Sequence, residues 1–438
     1  MTEIPLAGTT DGVVSGVRAN GVDSFLGIPF AAPPTGRRRG QPPLAVEAWQ
    51  GVRRATGFRD WSLQPDFPAM STHATGTSSE DCLYLNVWTP TGAIDRPVLV
   101  IAHGGGFQIG SGAAPAYRGD RLAASGVVVV TFNYRLGALG FDHGPLWIQD
   151  QIAALKWVQR NIAAFGGDPA RVTVAGMSAG GVSVNALNLS PEARGLFDQA
   201  IVISGGGDSL FSPGPHPATP MIDHSAPAPV RTPAFDGGRG ETPYVDGLFI
   251  DRLPSQALSA GVSNARRLIV GYSNFEGSLL DTLGLPADLL AQVFASPENS
   301  PRADGYDLYG ELLFRRPARE LALLSADNAA ETWLFDFGYA PQSLRGQARG
   351  AGHGAGLYAL LGTLDPAYAE LGATPTEADW RVAAGLRDRI LPFIEGGEPN
   401  LPERITWTPL DASAPLALTI GHDGRERMEQ PRDLAHGA

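Results

Sequence analysis

The chain has 438 residues, 43% of them apolar and 18% charged, the proportions of a globular core and not of a disordered segment. Its formal net charge of −12 argues against binding nucleic acid or an anionic membrane, and no apolar run approaches the roughly 18–20 residues needed to span a bilayer. Cys82 is the only cysteine, which excludes an internal disulfide; with no basic-then-apolar leader at Met1-Thr2-Glu3-Ile4-Pro5-Leu6, a cytoplasmic protein is expected.

Residues 11–17 and 24–28 read as an opening hairpin. The β-branched runs 98–102 and 127–132 suit buried parallel strands, with a helix expected between them over 118–124. Residues 149–165 carry Ile152, Leu155, Val158 and Ile162 on one helical face, and the run Gly166-Gly167-Asp168-Pro169 stops it. A strand over 171–175 leads into a small-residue helix over 179–189, and further strands are expected at 199–203, 267–271, 332–337 and 416–420. Strand and helix alternating in this way predict a doubly wound, mostly parallel sheet with helices on both faces and ligands bound at the carboxyl ends of the strands. Such a sheet can occupy the whole length, so one domain over residues 1–438 is expected. Residues 205–244 differ: eight prolines and several glycines without helical period predict a surface loop or a flap beside the site.

Gly176-Met177-Ser178-Ala179-Gly180 lies where the strand at 171–175 meets the helix at 179–189. A serine at the tip of so sharp a turn needs strained backbone angles and almost no side chain two residues to either side, which Gly176 and Gly180 satisfy. Ser178 Oγ would stand above the sheet as a nucleophile, close to the Ala179 N–H and a helix N-terminus. Next, His103-Gly104-Gly105-Gly106-Phe107 follows the strand at 98–102. Consecutive glycines let backbone N–H groups face a small ligand, so Gly105, Gly106 and Ala179 become candidate oxyanion donors. A phosphate loop would require a nearby lysine or a GK[ST] helix start; the only lysine is Lys156, and no such start occurs.

An acid and a base should follow such a serine in that order. Glu276 lies just past the strand ending at 271, and His353 lies in Gly350-Ala351-Gly352-His353-Gly354, past the strand at 332–337. His422, in Gly421-His422-Asp423-Gly424, competes for the role of base. The eight histidines are scattered and show no ligand spacing, so no metal or organic cofactor is expected.

Several segments together resemble the type-B carboxylesterases, the family that includes the cholinesterases. They are Gly27-Ile28-Pro29-Phe30-Ala31, Glu80-Asp81-Cys82-Leu83-Tyr84-Leu85-Asn86-Val87, the glycine loop, Asn133-Tyr134-Arg135-Leu136-Gly137, Asp150-Gln151, Phe165-Gly166-Gly167-Asp168-Pro169, the serine turn and Val245-Asp246-Gly247-Leu248-Phe249. The resemblance runs from about residue 12 to 360. It implies an α/β-hydrolase fold, a Ser178–His353–Glu276 triad and oxyanion donors at Gly105, Gly106 and Ala179. The expected activity is hydrolysis of small carboxylic esters through an acyl-enzyme. The same machinery could cleave amides or carbamates, and non-catalytic adhesion relatives lack the serine that is present here.

Three departures refine that expectation. The family's glutamate before the nucleophile is Met177 here, which disfavours cationic esters. Ser62 replaces the family's partner for the cysteine at position 82, leaving a buried free thiol. The chain is short at 205–244 and between Glu276 and His353, so the family's pocket depth and acyl preference do not carry over; a reduced cap over a broad, open site is expected, and from that openness turnover of short to medium acyl groups.

Overall fold

The computed structural model describes residues 4–65, 77–214, 242–285, 287, 304–328 and 330–431. Among these residues the central sheet has eleven strands: β1 (Val17–Ala19), β2 (Val22–Pro29), β3 (Tyr84–Pro90), β4 (Arg96–Ala102), β5 (Val128–Phe132), β6 (Gly167–Met177), β7 (Gln199–Ile203), β8 (Arg267–Ser273), β9 (Glu331–Phe337), β10 (Ala417–Ile420) and β11 (Glu426–Glu429). Their spatial order is β11-β10-β9-β8-β7-β6-β4-β5-β3-β2-β1. Strands β4 to β10 run parallel, and antiparallel strands finish both edges. The chain leaves β4 toward β5 and returns to place β6 on the other side of β4. The carboxyl ends of β4 and β6 therefore face the reversal of strand order, where such sheets bind ligands.

Period-two patterning divides the core. Val98, Val100 and Ala102 of β4 join one apolar cluster with helices α1 (Leu146–Asn161), α2 (Ala179–Leu189) and α3 (Arg316–Asn328). Leu99 and Ile101 join a second with α4 (Ala355–Leu361) and α5 (Glu377–Ile394). The parallel strands are buried on both sides, which is why they read as nearly continuous apolar runs.

The expected helix at 149–165 begins earlier, at Leu146, and gives way after Asn161 to a 3₁₀ turn, Ile162–Phe165, ended by Gly166 at φ 78°. The opening hairpin needs correction. Residues 11–17 divide between two sheets: Gly12–Ser15 pairs with Leu6–Thr9 in a small separate sheet, while Val17–Ala19 pairs with β2. Gly16 lies at the crossing, where a Cβ would meet the Ser24 carbonyl oxygen at 2.4 Å. The hairpin turn is Asn20-Gly21, with φ of 52° and 75°, the pairing that a tight two-residue turn demands.

Residues 215–241, most of the proline-rich segment and of the loop or flap expected there, lie outside the described residues. Its described ends are joined, the Ser212 N–H donating to the Pro243 carbonyl at 2.7 Å and the Val245 N–H to the Ser212 carbonyl at 3.0 Å. No helix among the described residues is long and apolar enough to cross a membrane.

Candidate active site

Ser178 sits at φ 58°, ψ −129°, between β6 and α2. A left-handed φ on a serine is strained and persists only where the surroundings enforce it. They do so here: a Cβ on Gly176 would lie 2.2 Å from the Gly180 carbonyl oxygen, and one on Gly180 would lie 2.2 Å from that of Ala102. The strand and helix approach each other more closely than any side chain at those positions allows. The Ser178 N–H is anchored to the Ile203 carbonyl at 3.0 Å.

The glycine loop reaches the same point from β4. A Cβ on Gly104 would meet Ser178 Cβ at 3.3 Å, and one on Gly105, at φ 116°, would meet the Ile109 carbonyl oxygen at 2.1 Å. The N–H groups of Gly105, Gly106 and Ala179 have no hydrogen-bond partner among the described residues. The loop is held by side chains around it. Tyr117 Oη accepts from the Gly104 N–H at 2.7 Å, and Tyr134 Oη donates to the His103 carbonyl at 2.9 Å. Gln64 accepts from the Gly110 N–H at 2.8 Å and donates to its carbonyl at 3.0 Å.

His103 itself is buried, stacked on Tyr134 at 4.4 Å between ring centroids, with Nδ1 bonded to the Gly104 carbonyl at 2.9 Å. Burial drives its pKa down to about 4, so the ring is neutral at pH 7. Burial also pushes the Tyr117 hydroxyl up to about 12.

Glu276 and His353 come together from the loops after β8 and β9. The Glu276 carboxylate is fully buried. Its Oε2 bonds to His353 Nδ1, and its Oε1 accepts from Ser204 Oγ at 2.5 Å and from the Ser273 N–H at 2.7 Å. His353 Nε2 is buried and has no hydrogen-bond partner among the described residues. The histidine loop is pinned by its main chain: His353 N–H donates to Ser278 Oγ at 2.8 Å, and Ala351 N–H to Asn274 Oδ1 at 2.8 Å. This loop abuts the serine turn, because a Cβ on Gly354 would lie 2.8 Å from Met177 Cε. All six sequence-predicted residues thus lie on segments meeting at the carboxyl ends of β4, β6, β8 and β9. The rival His422 does not join them; it is exposed in the turn between β10 and β11.

Ser204, Ser278, Asn274, Tyr117 and Gln64 were not legible as site residues. Ser204 had one visible signal, its place before Gly205-Gly206 at a strand end; the others act by contacts between distant segments. Several other motif residues make contacts that hold the fold. Arg135 and Asp150 form a buried bidentate pair at 2.7 and 2.8 Å, and Arg39 pairs with Glu80 at 2.5 and 2.7 Å. Asn133 Oδ1 accepts from the Gly112 N–H at 2.9 Å, fixing the far end of the glycine loop. Cys82 is a buried free thiol, as expected, and burial pushes its pKa up to about 12.

The family model described as "Carboxylesterase family" matches residues 3–219. The para-nitrobenzyl esterase of Bacillus subtilis (strain 168) is 33% identical, over 91% of each chain. The fumonisin B1 esterase of Sphingopyxis macrogoltabida is 32% identical, over 93% of this chain and 86% of the relative. Among solved structures, a PNB esterase superposes with a TM-score of 0.81 at 28% identity, covering 97% of this chain and 96% of that one. A serine turn, a glycine loop and a carboxylate–imidazole pair thus meet on a sheet shared with esterases along nearly its entire length, and the chain belongs to the type-B carboxylesterase family: it is a carboxylic ester hydrolase of the α/β-hydrolase fold.

Proposed function

We propose that this carboxylesterase works as a serine enzyme, with Ser178 as nucleophile, His353 as general base and acid, and Glu276 as the carboxylate that orients the imidazole. Ser178 Oγ forms a bond to the ester carbonyl carbon while its proton passes to His353 Nε2, and the carbonyl electron pair moves onto oxygen. The N–H groups of Gly105, Gly106 and Ala179 stabilise that oxyanion; each donor is worth about 2.7–4 kcal/mol in comparable sites. Collapse of the tetrahedral adduct releases the alcohol, which takes the proton from Nε2. Water then attacks the acyl-enzyme, giving a proton to Nε2, and a second collapse returns that proton to Ser178 Oγ and frees the acid.

The reading rests above all on the two nitrogens of His353: Nδ1 is taken by a buried carboxylate, while Nε2 is unpartnered on a loop that abuts the Ser178 turn. One sheet running from residue 17 to 429 supports treating the whole chain as one catalytic domain. Met177 in the place of an acid supports uncharged substrates, and the short 205–244 and 276–353 intervals support short to medium acyl groups. The lone buried thiol and the net charge of −12 support a cytoplasmic enzyme acting on small esters.

The test uses a para-nitrobenzyl ester, named for the Bacillus subtilis relative. Ser178→Ala and His353→Ala should each lose several orders of magnitude in kcat while staying folded, and His422→Ala should remain near wild type. A folded Ser178→Ala protein keeping a tenth of the activity would end the reading; an inactive His422→Ala beside an active His353→Ala would move the base.

A further inference from the structure

We propose that Phe314 is a positioning residue for the proton transfers, holding the His353 ring and stabilising the imidazolium formed on it during acylation and deacylation. The inference rests on the reading of His353 as the base. The two rings lie 4.7 Å apart, centroid to centroid, with their planes inclined at 53°. A phenyl ring whose centroid is that close contributes little while the imidazole is neutral and attracts it through the ring quadrupole once it is protonated. The contact therefore strengthens as charge develops, the property that distinguishes transition-state stabilisation from uniform binding.

The segment carrying Phe314 is built to keep it there. Glu311–Arg315 forms a π-helical turn between Gly305–Gly310 and α3, an irregularity frequent at functional sites. Buried Glu311 closes the turn by pairing with Arg315 at 3.0 Å and with Arg319. Arg315 Nη1 donates to the Asn274 carbonyl at 2.9 Å, and Asn274 Oδ1 in turn holds the Ala351 N–H of the histidine loop. The same segment passes over the other member of the pair, since a Cβ on Gly310 would lie 3.2 Å from Glu276 Cβ. Phe314 is 4% exposed, lies 5.9 Å from the Tyr309 ring between centroids and shares a small buried cluster with Tyr309 and Leu280, so its ring faces the imidazole and this cluster rather than solvent.

A purely packing role would need only volume at position 314; the proposed role needs an electron-rich ring face. Replacing Phe314 with mono-, di- and trifluorinated phenylalanine weakens that face stepwise at nearly constant shape. Acylation and deacylation rate constants are read by stopped flow on para-nitrophenyl acetate and butyrate. Both should fall together with each fluorine, for both acyl groups, reaching roughly three- to thirtyfold in the trifluorinated protein, with substrate binding unchanged within about twofold. Phe314→Leu should be lowered at least as much, and Phe314→Tyr should recover most of the rate. Rates indifferent to fluorination, or a loss confined to one acyl length, would overturn the proposal and leave Phe314 as packing or as pocket wall. His353→Ala separates the two readings: if it is inactive while fluorination has no effect, the base assignment stands and only this inference falls.

Discussion

His103 gives the structure a quantitative pH test. Its imidazole is fully buried, with a pKa lowered by burial to about 4, against an ordinary value near 6.5 in the unfolded chain. The aromatic groups nearest it, Tyr117 and Tyr134, are both pushed upward by burial and stay neutral across the acid range. As pH falls below 6.5, the unfolded chain therefore binds a proton at position 103 that the folded chain refuses. A pKa depressed in the folded state of a base means stability lost on acidification, beginning near 6.5 and saturating below about 4. Linkage gives a loss from this one residue of about 1 kcal/mol at pH 5.5 and about 2–3 kcal/mol at pH 4.5, relative to high pH. The perturbation is His103→Phe, which keeps a ring against Tyr134 and cannot titrate. Urea unfolding, followed by tryptophan fluorescence and checked for reversibility, is run on both proteins at pH 7.5, 6.5, 5.5 and 4.5. The difference between them isolates position 103 from the carboxylates common to both. The variant starts lower at pH 7.5, having lost the Nδ1 bond to Gly104, and should gain about 2–3 kcal/mol on wild type by pH 4.5. A difference that stays flat within about 0.5 kcal/mol would refute the argument, because a ring free to protonate in the folded state cannot be sealed as described.

Three other outcomes are expected. A choline ester should be no better a substrate than its uncharged isostere; a kcat/KM advantage above about tenfold, roughly 1.4 kcal/mol, would show that another acidic group does the work that Met177 cannot. Ser204→Ala removes one of the donors to the buried Glu276 carboxylate, about 1.5–3 kcal/mol of interaction, and should lower kcat about ten- to a hundredfold with KM little changed. Wild-type kcat and melting temperature in that variant would show that Glu276 does not depend on the hydroxyl. Cys82, buried with its pKa raised to about 12, should resist a disulfide thiol reagent in the native protein and react once per chain after unfolding; rapid native labelling would place it at the surface.

Much of the site was legible because its chemistry is local. The turn at Ser178 requires glycine at 176 and 180 within a single strand–helix junction, and the glycine loop follows directly on β4, so short segments carried both. Buried parallel strands announce themselves as apolar runs, and strand-end loops then confine the acid and base to a few residues. The opening hairpin was misplaced although its signal was present: Asn20-Gly21 marks the turn, but Gly16 was read as part of one strand when its lack of a side chain is what lets the chain cross between sheets. His353 and His422 stood open on residue reading alone, since both follow a strand in a glycine-rich loop.

By itself, then, the sequence determined the alternating architecture, the strained serine turn proposed as nucleophile and the strand ends from which its proposed partners come, because these follow from backbone sterics and periodicity over a few residues. Only the tertiary structure decided what holds the candidate catalytic groups in place. Ser204 donates to a carboxylate 72 residues away, and Asn274 and Ser278 hold a loop 77 and 75 residues away. Phe314 packs against an imidazole from a turn that no periodicity announces. Hydrogen bonds and ring contacts of that kind depend on distances across the fold, and the spacing of residues along the chain carries no record of them.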